Sequence, residues 1–366
     1  MVPQFVSAPS PTMAQAGAGG NPCQGLWYAP DPPPKVAFIA THYDIDFSEH
    51  YLAEYLARRG HGFLGWNTRF RGMGYYFTLE QALVDIGVGV RWLREEAGVD
   101  TVILLGNSGG ASLMSAYQSQ ALEPHITATR GSSLPDSVME LPPADLFVSL
   151  NAHPGRPDVL TSWLDPSVSD ELDPLSIDPG LDMFDAMHPV PYEASFITRY
   201  RAAQEERNHS ITAWCIDELD RISTAGAYDR VFNVFRTWAD LRFLDLNLDP
   251  SDRKAGCYFG DPKVANRLPF GLATTNTLRA WLSMWSLTES QCRAQPHLAR
   301  ITQPSLVVQS SDDQGCYPSD AQSIFDALAA EDKTLETIRG DHYLQGPKGA
   351  RDQAADIISA WVGPRT

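Results

Sequence analysis

Ser108, Asp313 and His342 are the residue types of nucleophilic catalysis, and their settings suit it. Ser108 is the centre of Gly106-Asn107-Ser108-Gly109-Gly110, Asp313 ends Ser310-Ser311-Asp312-Asp313, and His342 follows Gly340-Asp341. A serine hydroxyl is a poor nucleophile at neutral pH. It needs a base that takes its proton and later returns it to the leaving group. Imidazole suits both steps, and a buried carboxylate fixes its tautomer. If the three act together, each must sit on a loop at one edge of a single scaffold.

The surrounding sequence supplies that scaffold. Residues 102–105 are apolar and uncharged, which suits a strand buried on both faces. From Gly110 the pattern turns helical through Ala111, Leu113, Met114, Ala116 and Tyr117. A strand that becomes a helix within two residues strains the residue at the turn, and glycines are needed beside it where a Cβ would collide. The turn projects the Ser108 hydroxyl from the sheet's end and directs the Gly109 N–H toward the reacting atoms. Asp313 and His342 fall just past two further strands, at 305–309 and 334–338. One helix lies between those strands, opened by Ser319-x-x-Gln322 as a capping box.

The rest of the chain shows the same alternation with one interruption. Residues 1–34 read as an N-terminal arm and linker: 1–24 are rich in Ala, Gly, Pro, Ser and Gln, with at most a short strand at 24–28, and Asp31-Pro32-Pro33-Pro34 is stiff. A strand at 35–40 ends at Thr41-His42-Tyr43-Asp44. A helix carrying Leu52, Tyr55 and Leu56 leads to a strand at 63–66. Thr78-x-x-Gln81 has the form of a capping box before a helix with Leu79, Leu83, Ile86, Val90, Leu93 and Ala97 on one face. A strand at 145–150 ends at Asn151-Ala152-His153. This is an α/β chain with a mostly parallel sheet, whose reactive groups belong at the carboxyl ends of strands. Residues 153–299 are too long for a connection. With helical patterns at 192–222 and 275–287, they read as a mainly helical cap inserted into a core of 35–152 and 300–366, which closes with a helix at 348–361. Trp163, Trp214, Trp238, Trp281 and Trp285 are candidates to wall a pocket, with core packing as the alternative. His153 is a candidate pocket residue.

Composition narrows the function classes. The 366 residues carry 45 acidic against 28 basic side chains, a formal net charge of −17, which repels nucleic acid and anionic membrane. Five dispersed cysteines (Cys23, Cys215, Cys257, Cys292, Cys316) without a C-x-x-C suit reduced thiols in a cytoplasm. Residues 1–20 lack the basic start and apolar core of a secretory signal, and no run is long enough to span a membrane. His-Glu-x-x-His and a P-loop lysine are absent, and Gly87-Val88-Gly89 has Trp92 where a dinucleotide fingerprint needs its third glycine. No metal and no cofactor are therefore expected.

These motifs together resemble the α/β-hydrolase superfamily, over nearly all of residues 35–152 and 300–362. The features that carry the resemblance are the Ser108 turn, Ser310-Ser311-Asp312-Asp313 with Pro318 after it, and Gly340-Asp341-His342. The superfamily's acid usually follows a Gly three residues earlier; Ser310 holds that place, which points to Asp313, with Asp312 as the alternative. The resemblance also implies an oxyanion hole. One N–H would come from Gly109 and one from the loop after an early strand, where the family often has His-Gly. Here that pair is His42-Tyr43, so the donor is Tyr43 or Asp44, with Tyr43 preferred. Members with an Asp nucleophile cleave carbon–halogen bonds or epoxides, and Ser108 argues against both.

The expected protein is thus a cytoplasmic serine hydrolase cleaving a small-molecule carboxylic ester or lactone through an acyl-enzyme, with homo-oligomers left open. Carbon–carbon or amide hydrolysis by the same triad is the alternative chemistry. A non-catalytic ligand-binding homologue is the alternative class.

Overall fold

The apolar run at 102–105 becomes the centre of an eight-stranded sheet. The computed structural model describes residues 2–17 and 19–366. In chain order its main elements begin with β1 (Gln4–Ala8), β2 (Cys23–Tyr28), β3 (Val36–Ala40), α1 (Ala53–Ala57), β4 (Gly62–Asn67) and α2 (Leu79–Glu95). Next come β5 (Thr101–Asn107), α3 (Gly110–Leu122), β6 (Leu146–Leu150), α4 (Arg156–Trp163) and the long α5 (Ala194–Thr224). Then follow β7 (Val231–Asn233), α6 (Pro262–Ala265), β8 (Thr275–Thr277), α7 (Leu278–Ala280) and α8 (Gln295–Leu298). The chain ends with β9 (Ser305–Ser310), α9 (Pro318–Ala327), β10 (Lys333–Ile338) and α10 (Ala350–Val362).

The sheet order is β1-β2-β4-β3-β5-β6-β9-β10, antiparallel at the β1 and β2 edge and parallel from β4 to β10. Period-two alternation explains why β5 needs no polar face. Val102 and Leu104 join one apolar layer with α2 and α3, while Ile103 and Leu105 join the other with α1 and α10. After β3 the chain first builds β4 on one side and then crosses to β5 on the other. The crevice at the carboxyl ends of β3 and β5 is therefore a topological switch point, where open α/β sheets bind ligands.

Residues 1–34 depart from the expected arm. β1 and β2 pair with each other, and β2 pairs with β4, so this segment supplies two strands of the main sheet. Cys23, Gly25 and Trp27 point inward while Gln24 and Leu26 are half-buried. β2 corresponds to the short strand read at 24–28, whereas β1 was not expected. Neither expected capping box forms as read. Thr78 makes no side-chain cap; the Leu79 N–H is taken by Ser283 Oγ at 2.9 Å, and Gln81 Oε1 accepts the Thr12 hydroxyl at 2.7 Å. At α9 the helix begins two residues earlier, with Pro318 in the first helical position and Asp320 Oδ2 accepting the Tyr317 N–H at 2.9 Å. The helix expected at 275–287 starts as strand β8 and passes through α7 into a π-helical turn at Trp281–Trp285.

Between β6 and β9, α5 and its surroundings form their own clusters: Trp163, Trp238 and Phe243 in one, Met183, Tyr192, Phe196 and Tyr200 in the other. The insertion docks on the core through polar contacts such as Ser283 Oγ with the Leu79 N–H of α2 at 2.9 Å and with Thr129 Oγ1 at 3.0 Å. Among the described residues no helix is long and apolar enough to cross a membrane.

Buried histidines give the fold a pH signature. Burial lowers His50 and His297 to about 4, and lowers His42 and His153 as well. A depressed histidine binds fewer protons folded than unfolded. Its stabilisation is complete above its ordinary value of 6.5 and is lost as pH falls toward 4, by about 1.4 kcal/mol per pH unit per group. Asp320, raised to about 6 by burial, acts in the opposite sense and offsets one of them. The urea midpoint should fall from pH 7.5 to pH 5, and His297→Gln should flatten that fall. An unchanged midpoint across this range would contradict it.

Candidate active site

Ser108 sits at the end of β5 with φ at +56°, a left-handed conformation that non-glycine residues adopt only under constraint. Its N–H donates to Leu150 O at 3.1 Å, and its carbonyl accepts the Ala111 N–H at 3.2 Å, which ties the turn to β6 and to α3. The adjacent glycines are sterically required: a Cβ on Gly106 would lie 2.5 Å from Ala111 Cα, and one on Gly110 2.3 Å from Thr41 O.

The β9 and β10 loops reach the same edge. Asp313 is buried, and its Oδ2 accepts the His342 Nδ1–H at 2.7 Å. Its Oδ1 accepts from Gly315 N–H at 2.9 Å, Cys316 N–H at 3.0 Å and the Tyr258 hydroxyl at 3.1 Å. Asp312, the alternative, faces Arg339 at 3.9 Å on a more open surface. Asp341 shapes the histidine loop by accepting the N–H groups of Tyr343, Gln345 and Gly346. Asn151 joins three strand ends: Nδ2 donates to His342 O at 3.1 Å, and Oδ1 accepts the Ser310 N–H at 2.8 Å. With Nδ1 committed to Asp313, His342 keeps Nε2 as an acceptor. His342 and Ser108 line one cavity of 530 Å³. Among the described residues no hydrogen bond joins Ser108 Oγ to His342; such contacts commonly tighten only around substrate.

The two expected oxyanion donors stand behind this cavity's surface. Among the described residues, neither the Gly109 N–H nor the Tyr43 N–H has a protein acceptor. The Asp44 N–H is turned back toward His42 Nδ1 at 3.5 Å, which leaves Tyr43 the freer of the two candidates. The Tyr43 side chain is buried, its hydroxyl 3.0 Å from Ser112 Oγ. At this point the wall is made by His42 and Arg156. Their Nε2 and Nη1 atoms lie 2.8 and 2.6 Å from where a Gly109 Cβ would stand.

Of the expected aromatic wall, Trp163, Trp238 and Trp285 line the cavity. Trp281 packs in the core, its Nε1–H donating to Thr212 Oγ1 at 3.0 Å, and Trp214 is partly exposed against Phe232. His153 is buried in the cavity wall, 3.5 Å from Cys316 Sγ; burial holds it well below the usual histidine value, so it is neutral. The Cys316 thiol donates to Asn151 O at 3.0 Å, and burial pushes its pKa well up. The ligand atoms of Asp313, Cys316 and His342 lie within 4.8 Å of one another, but a protonated thiol and an Asp–His pair already bonded together are a poor metal set.

Four site residues escaped the sequence reading in these roles. Tyr258 comes from the insertion, packs tilted against His342 with centroids 4.5 Å apart, and places its hydroxyl 3.0 Å from His342 Nδ1. Nothing periodic around Cys257-Tyr258-Phe259 marks it. The His42 imidazole, Asn151 and Arg156 follow β3 and β6 directly, and that position at a strand's carboxyl end was the available signal.

No protein-family model matches the sequence, and no curated protein does. Solved structures do match. DcsB, solved in complex with a substrate analogue, aligns over 100% of this chain and 99% of its own with a TM-score of 0.55 and 10% identity. The α/β hydrolase GrgF from Penicillium sp. sh18 aligns over 100% and 98%, with a TM-score of 0.51 and 10% identity. The chain has the α/β-hydrolase fold, a mostly parallel sheet flanked by helices, with its candidate residues at the sheet's carboxyl edge.

Proposed function

We propose that the protein is a serine hydrolase that cleaves a carboxylic ester or lactone through an acyl-enzyme. The observation that carries this is the 2.7 Å contact between His342 Nδ1 and Asp313 Oδ2 at the cavity into which Ser108 opens from a strained turn. Ser108 Oγ attacks the carbonyl while His342 Nε2 takes its proton and then returns it to the leaving oxygen. Asp313 holds the imidazole in the required tautomer and stabilises the imidazolium. The free N–H groups of Gly109 and Tyr43 are the candidates for the developing oxyanion, each worth about 3 kcal/mol of barrier, and substrate must reach past His42 and Arg156 to meet them. Water then releases the acid by the same proton relay. Residues 153–299 act as the cap: Trp163, Trp238 and Tyr258 close the site over the sheet edge. A cytoplasmic setting, with reduced cysteines, fits five thiols that are free and buried.

The test is a panel of p-nitrophenyl esters and lactones with purified protein in the presence of a chelator. Turnover insensitive to the chelator is expected. No turnover on any ester or lactone would contradict the proposal.

A further inference from the structure

The cavity contains a positive charge that ester cleavage alone does not require. Arg156 opens α4 just beyond β6 and is 4% exposed. Its guanidinium makes no hydrogen bond to any described residue, and its Nε is fully enclosed without an acceptor. Its Cζ lies over two aromatic rings, Tyr43 at 4.8 Å and Trp285 at 4.7 Å. Arg156 lines the same cavity as Ser108 and His342. The nearest acid is Asp44, whose Oδ1 is 3.8 Å from Nη2, beyond hydrogen-bond reach. That carboxylate is more than a third exposed, and the same Oδ1 lies 3.4 Å from His42 Nδ1, an atom at which the Asp44 and Ile45 N–H groups also point.

A buried cation with its donors unfilled is costly, and burial already lowers Arg156 from the usual arginine value. Two aromatic faces hold the fork in one orientation, which prepares it for a planar anion. A second donor stands at the same place. His42 Nδ1 accepts the Ile45 N–H at 3.3 Å, which leaves the proton on Nε2. That Nε2 and Arg156 Nη1 converge on the space over Gly109, the residue next to the nucleophile. An acyl chain without an anion would leave both donors unpaired there.

We propose that Arg156, with the His42 Nε2–H beside it, binds a carboxylate on the acyl part of the substrate, so that the preferred substrate is a half-ester of a short dicarboxylic acid or a small lactone that carries a carboxylate. This rests on Ser108 being the nucleophile. The closeness of Nη1 to Gly109 calls for a short link between the bound carboxylate and the scissile carbonyl. Carboxylate and guanidinium pair through two parallel N–H···O bonds, the geometry the unfilled donors offer.

The experiment compares monoethyl glutarate with ethyl valerate, which has the same chain length without the charge, by titrating released acid. The wild type should favour the glutarate half-ester by at least about tenfold in kcat/KM, and Arg156→Gln should bring that preference close to one. Glutarate alone should raise the melting temperature of the wild type, and valerate should not. A wild type that turns over both esters without preference, or an Arg156→Gln variant that loses both equally, overturns the carboxylate site while leaving the hydrolase standing. If neither ester is cleaved but glutarate still stabilises the wild type and not Arg156→Gln, the carboxylate site stands and the ester chemistry falls.

Discussion

Ser108→Ala should lower kcat for the best ester of the panel by at least about 10⁴-fold while leaving the fold intact. The size of the effect follows from the site's geometry. His342 is oriented by Asp313 at 2.7 Å and Asp313 is itself held by three further donors, so the base is fixed and only the nucleophile is removed. What survives is binding and the free N–H groups of the turn. Alanine relieves none of the strain at φ +56°, because it too carries a Cβ, so the variant should melt close to the wild type. Activity within tenfold of wild type would remove Ser108 from the chemistry.

Asp85→Ala should destabilise the protein by about 3–5 kcal/mol, the largest expected effect on stability. Asp85 is fully buried in α2 and accepts Arg69 Nη2 at 2.6 Å, Arg69 Nε at 2.8 Å and the Arg69 N–H at 3.0 Å. The same guanidinium donates to Ser10 Oγ at 2.8 Å and Thr12 Oγ1 at 2.6 Å. One ion pair thus fastens the loop after β4 and the segment after β1 to α2. Removing the carboxylate leaves a buried, unpaired cation, whereas removing both partners does not. Arg69→Met with Asp85→Leu should therefore recover most of the loss in urea unfolding. Equal losses in the single and double variants would show that packing, and not the stranded charge, sets the cost.

How much of this was legible in the sequence depends on whether the signal was local. The Ser108 turn was legible because strand, glycines and helix adjoin, and the structure supplies a steric reason for both Gly106 and Gly110. Asp313 and His342 were legible because each follows a strand end directly. The short strand read at 24–28 corresponds to β2, but β1 and the membership of both in the main sheet were not legible, because they come from pairing, β1 with β2 and β2 with β4, and not from composition. The two capping boxes failed for a related reason: long-range and neighbouring acceptors, Ser283 at Leu79 and Asp320 at Tyr317, cap these helix starts once the chain is folded. Tyr258 reaches His342 from 84 residues away through an irregular insertion, and no spacing rule connects them. Arg156 was readable as a charge at a strand end, but its lack of partners exists only in three dimensions.

The central claim is that Ser108 is a nucleophile armed by His342. Its most direct test is exposure of the protein to a serine-directed organophosphate, followed by mass spectrometry of the whole chain and of its peptides. The account predicts one adduct per chain, on the peptide that contains Ser108, forming far more slowly in His342→Ala. An unmodified Ser108, or labelling that is equally fast without the imidazole, would contradict it.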